Sequence, residues 1–129
     1  MHTCFAQEVI DTCVEIRLWL SGEGNETHFS SLLERFSPAF TMVTLSGAQI
    51  DYEGLQTFFI QARGSRPGLR IVIDELETLL GNEDGAVVSY RERQESASGG
   101  TTMRRSTAVF TRDARGSVQW LRLQETPCL

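Results

Sequence analysis

Three stretches of this chain set polar side chains in rows. Alternate residues of an extended strand share a face. In YRERQ that rule groups Tyr90, Glu92 and Gln94; in RST it groups Arg105 and Thr107; in QWLRLQET it groups Trp120, Arg122 and Gln124. Rows that converge would make a pocket with an aromatic wall, one carboxylate and two guanidinium groups. Arginine holds a carboxylate through paired N–H donors, so such a pocket suits a small polar or anionic molecule. A carboxylate beside apolar walls can also carry a proton, which makes Glu92 the best candidate for a catalytic base. The same residues also suit a solvated sheet face, where cross-strand Arg–Glu pairs contribute about 0.2–1 kcal/mol each. Tyr90 and Trp120 fit a core as well as a ligand site. Arg104 and Arg105 are neighbours and point to opposite faces, and Arg105 is preferred here because it shares a row with Thr107.

Composition narrows the chemistry. All twelve basic residues are arginine. Without lysine there is no Schiff base to form and no phosphate-binding P-loop, so ASGGTT at 97–102 reads as a turn. The three cysteines show no CxxC spacing and read as small buried hydrophobes, while His2 and His28 lack neighbouring ligand types. No metal or cofactor is expected. His28 reads as a surface residue, and Ser106 has neither a histidine partner nor a Gly-x-Ser-x-Gly context. A net charge of −5 argues against nucleic acid. No apolar run approaches the roughly 18–20 residues that span a bilayer. MHTCFAQEVIDTC lacks the basic segment of a secretion signal, so a cytoplasmic protein is expected.

The elements that must position these rows follow from periodicity. Val9, Ile10, Cys13, Ile16 and Leu20 recur at helical spacing, and Gly22 and Gly24 stop that helix. Asn25 caps a short second helix carrying Phe29, Leu32, Leu33 and Phe36, with Pro38 ending it. AFTMVTLSG reads as a strand, and Asp51 caps a third helix, YEGLQTFFIQARG. Four long strands follow: LRIVIDELETLL, AVVSYRERQES, MRRSTAVFTR and SVQWLRLQET, joined by GNEDG, ASGGTT and DARG. Helices followed by a meander give an α+β fold, expected as one domain over residues 1–129. A sheet this long curls into a cone, strongly curved and of mixed or antiparallel strands, with the three N-terminal helices on its concave side.

That order of elements resembles the nuclear transport factor 2-like superfamily, which includes SnoaL-like polyketide cyclases and ketosteroid isomerase. Four stretches are similar to uncharacterised bacterial members of the SnoaL-like group: RFSPAFTMVTLSG at 35–47, DYEGLQTFF at 51–59, RPGLRIVID at 66–74, and RRSTAVF with WLRLQET between 104 and 126. The resemblance implies a cone that holds a small molecule and a homodimer formed through the outer sheet face, to which SVQWLRL and TAVF would give apolar residues. It also exposes departures. The isomerases' carboxylate base matches Thr44, the tyrosine of their first helix has only Trp19 near its place, and the group's final-strand histidines match Arg122 and Gln124. Three functions stay open: a non-catalytic small-molecule binder, a cofactor-free isomerase, cyclase or hydrolase, and a structural dimerisation domain.

Overall fold

The computed structural model describes residues 4–128; His2 and the side chain of Cys4 lie outside the described residues. The first helix, α1 (Cys4–Ser21), turns Phe5, Val9, Thr12, Cys13 and Leu20 inward. It ends on Gly22 at φ +86, whose Cα lies so close to Gly64 that an added side chain would meet it at 3.3 Å. The Trp19 indole donates to the Phe59 carbonyl at 2.7 Å, tying the end of α1 to the third helix. In α2 (Glu26–Glu34), Asn25 accepts from the Thr27 amide while His28 Nδ1 accepts from the Asn25 amide, so His28 is part of the helix cap. The third helix, α3 (Tyr52–Ala62), is capped by Asp51, which accepts from Gly54 N at 2.9 Å.

Six strands make one open, mixed sheet: β1 (Phe36–Val43), β2 (Gln49–Asp51), β3 (Arg70–Gly81), β4 (Gly85–Glu95), β5 (Thr101–Arg112) and β6 (Val118–Pro127). Their order is β2-β1-β6-β5-β4-β3, and only the β1–β6 pair is parallel. The helices cover one face, α1 over β3, β4 and β6, and α3 over β1 and β2. This is the expected α+β cone, with two differences of detail. β2 is too short to show alternation in the sequence. Pro38 lies inside β1 rather than at the end of α2, at a register shift where a residue without an N–H breaks no ladder bond.

The covered face changes character along the strands. Ala86, Val88, Tyr90, Glu92 and Gln94 of β4 all point inward, opposite Phe110, Ala108, Ser106, Arg104 and Thr102 of β5. One end is therefore apolar and the other polar. Bulges, two in β3 and one in β6, set which residues of the flanking strands join this face. In β3, Glu75 and Leu76 together oppose Tyr90, and Glu75 sits at φ +52, a left-handed conformation uncommon outside glycine. In β6, Trp120 pairs with Phe110 and Arg122 with Val109, leaving Leu121 without a partner.

Candidate functional site

Between the helices and the inner face of the sheet lies a cavity of about 550 Å³. Its walls are aromatic and aliphatic, chiefly Phe36, Phe40, Met42, Leu55, Phe59 and Trp120. Phe58, 50% exposed, stands with Ser46 and Ser65 at the rim. Thr44 is also at the rim, its hydroxyl 3.1 Å from that of Ser46. The position matching an isomerase base thus carries a hydroxyl bound to its neighbour.

The polar end is built by β4, β5 and β6. Glu92, 6% exposed, accepts from Gln94 Nε2 at 2.6 Å through Oε2. Gln94 in turn accepts from Arg66, which also reaches Ser96, so a chain of donors runs from the rim inward to Glu92. Arg104 lies directly opposite Glu92 across the β4–β5 ladder and faces Glu125 of β6 at 3.7 Å. Arg104 and Glu125 side chains are only 11% and 12% exposed. Burial raises the Glu125 carboxyl above its usual value, with Arg104 opposing the shift and Glu92 adding to it. Burial likewise pushes the Cys13 thiol and the Tyr90 phenol well up, reinforced in both by the charges of Glu92 and Glu125. Cys13 is accordingly a protonated, inert thiol.

The rows expected from alternation divide between the two faces. Tyr90, Glu92 and Trp120 line the cavity. Trp120 packs edge-on to Phe110 at 4.6 Å and donates to Thr12 Oγ1 at 3.0 Å. Trp19 lies away from the cavity lining, held by Phe59 and covered by the Arg63 guanidinium. Arg105, Thr107, Arg122 and Gln124 stand on the opposite, outer face, along an open groove of about 950 Å³. Arg105, 60% exposed, binds Glu75 at 2.7 Å, and Arg122 donates to Thr41 Oγ1 at 2.8 Å. Arg91 clamps Asp74 with two hydrogen bonds of 2.8 and 2.6 Å, holding that carboxyl below its ordinary range.

The physical reasons are specific. Parity from the inward Phe110 and Ala108 selects Arg104, not Arg105, for the interior, a signal present in the sequence. In β6 the bulge at Leu121 shifts parity, so Trp120 and Leu123 face inward although an odd number of positions separates them. Arg122 and Gln124 therefore turn outward and Glu125 inward. The first bulge in β3 likewise directs Glu75 to the outer face, where Arg91 and Arg105 meet it. Ala108, Phe110 and Trp120, expected at a subunit interface, are buried inside. Among the described residues no cluster of metal-ligand type occurs, and no helix is long and apolar enough to cross a membrane.

No family model matches the chain, and neither does any curated protein. Solved structures do. A nuclear transport factor 2-like protein of unknown function from Pseudomonas aeruginosa is 40% identical, covering 97% of this chain and 98% of its own, with a TM-score of 0.91. A second such protein, of unknown function in nutrient uptake, from Rhodospirillum rubrum, is 16% identical over 94% and 98% of the two chains, with a TM-score of 0.71. The association domain of C. elegans CaMKII is 14% identical over 96% of each chain, with a TM-score of 0.70. The latter two share the fold. With two-fifths identity sustained over nearly its whole length, the chain belongs to the nuclear transport factor 2-like proteins.

Proposed function

We propose that this protein binds a small, largely apolar molecule inside the cone, without transforming it. The observation that carries the reading is the cavity itself: about 550 Å³, within the range of ligand sites, with aromatic walls and a few convergent polar groups at one end. The test is a thermal-shift screen of apolar compounds carrying one polar group. A ligand at about 100 times its Kd adds about 2.7 kcal/mol, a rise of roughly 10 °C for a chain of this size. Met42→Trp, which fills the cavity, should abolish the rise. A flat screen on folded protein would sink the reading and favour a purely structural role.

A second reading, a cofactor-free isomerase, cyclase or hydrolase, draws on one observation: Glu92 is buried at the cavity with a carboxylate oxygen free. Turnover lost in Glu92→Gln with ligand binding retained would favour it.

We also propose a homodimer through the outer sheet face. That face carries an acidic strip on β3 (Asp74, Glu75, Glu77) beside a basic one on β5 and β6 (Arg105, Arg122). A two-fold axis would set one copy's acids against the other's arginines. The likeness to an association domain supports the reading. Sedimentation velocity should show a dimer for wild type and a folded monomer for the Arg105→Glu, Arg122→Glu double variant; a wild-type monomer at every concentration would refute it.

A further inference from the structure

Two buried polar atoms on β5, Arg104 Nε and Ser106 Oγ, have no hydrogen-bond partner among the described residues. Buried polar groups are almost always satisfied, so two neighbouring exceptions call for a partner. Both side chains stand on the inner face, two residues apart. Arg104 lines the polar end of the cavity, and so does Tyr90, which pairs with Ser106 across the ladder. Ser106 is 3% exposed. Its hydroxyl lies near enough to the Tyr90 phenol to be felt there, without reaching hydrogen-bond geometry. The rest of the Arg104 guanidinium is occupied: Nη2 donates to Thr102 at 3.1 Å, and Nη1 faces Glu125 at 3.7 Å. That second contact is too long for a tight hydrogen bond, which leaves the guanidinium room to turn Nε toward the cavity.

The kind of partner follows from what the two groups are able to give. A guanidinium nitrogen only donates, while a hydroxyl donates or accepts. One acceptor oxygen set between them therefore satisfies both, whereas a donor would serve Ser106 alone and leave Nε stranded. Charge points the same way. The carboxylates Glu92 and Glu125 are offset by Arg104 beside them and by Arg66 at the rim. An ion entering this end would give up its hydration without gaining an uncommitted counter-charge. We infer that the molecule held in the cone is neutral and presents a bare acceptor, a carbonyl oxygen on an apolar body, to Arg104 Nε and Ser106 Oγ. The inference rests on the binding reading above and narrows it to a class.

The test is titration of the full chain, read by tryptophan fluorescence because Trp120 lines the cavity. Four molecules share one skeleton: 4-phenyl-2-butanone; isopentylbenzene, with a methyl in place of the carbonyl oxygen; 3-phenylpropionate; and protonated 4-phenyl-2-butylamine. The ketone should bind at least about tenfold more tightly than either ion. Ser106→Ala should weaken the ketone about fivefold, the worth of one hydrogen bond, and leave isopentylbenzene unchanged. Arg104→Lys, which keeps the charge and deletes Nε, should do the same. Without ligand, Ser106→Ala should melt no lower than wild type, because the hydroxyl it removes is unpaired. The comparison among ligands on wild type and Ser106→Ala stands by itself if Arg104→Lys fails to fold. An ion binding as tightly as the ketone overturns the neutral acceptor and leaves the cavity reading intact. So does a Ser106→Ala variant that holds the ketone as wild type does, or loses ketone and hydrocarbon equally. No binding by any of the four also overturns it, and the cavity reading falls with it only if the wider thermal-shift screen is flat.

Discussion

Arg104→Ala is expected to destabilise the protein by about 3–5 kcal/mol, the cost of leaving a buried carboxylate without its partner. Arg105→Ala, one residue away, should leave the urea midpoint nearly unchanged, since an exposed ion pair is largely offset by solvent. The contrast follows from parity alone: Arg104 faces Glu125 and Glu92 inside, whereas Arg105 meets Glu75 in water. Urea denaturation of the two variants measures it. Adding Glu125→Gln to Arg104→Ala should recover part of the loss, because the uncompensated charge is then gone. Equal effects at the two positions would mean that Arg104 is not the interior arginine.

The other large effect belongs to Trp120. Its ring is 2% exposed, stacked on Phe36 at 5.7 Å and edge-on to Phe110 at 4.6 Å. Trp120→Ala empties the junction of β1, β5 and β6 and should cost about 3–5 kcal/mol. Trp120→Phe keeps most of the packing and removes the indole N–H that the Thr12 hydroxyl accepts, while that hydroxyl still donates to Glu8. That variant should lose about 1 kcal/mol, the net worth of one hydrogen bond, and Thr12→Val added to it should cost more, because the bond to Glu8 goes too. If Trp120→Ala unfolds at the wild-type urea midpoint, the indole is not part of the core.

How much of this was legible beforehand differs by strand. β4 could be read directly, because its eleven residues pair without interruption and every second one is buried. The helices were plain from their apolar spacing and their caps at Asn25 and Asp51, except that α2 ends at Glu34 and Phe36, expected on its inner face, opens β1. Arg104 was readable in principle from the parity of Ala108 and Phe110, but a row shared with Thr107 pointed to its neighbour. β6 could not be read by alternation at all. A bulge leaves no mark in composition; its one trace is that Trp120 and Leu123, both apolar, fall on opposite parities. Arg66 was out of reach for another reason: it joins the site from a loop 28 residues before Gln94, a meeting that only the tertiary fold arranges.

The unpaired Leu121 has a consequence for how such proteins diversify. Were it drawn into the ladder, Arg122 and Gln124 would change places with Leu123 and Glu125. The same ten residues of β6 would then offer the interior a guanidinium in place of a carboxylate. Register, rather than composition, decides the sign of the charge held in the cup. A sheet of this kind can reverse the charge that it presents to its interior by moving one bulge, with no residue mutated.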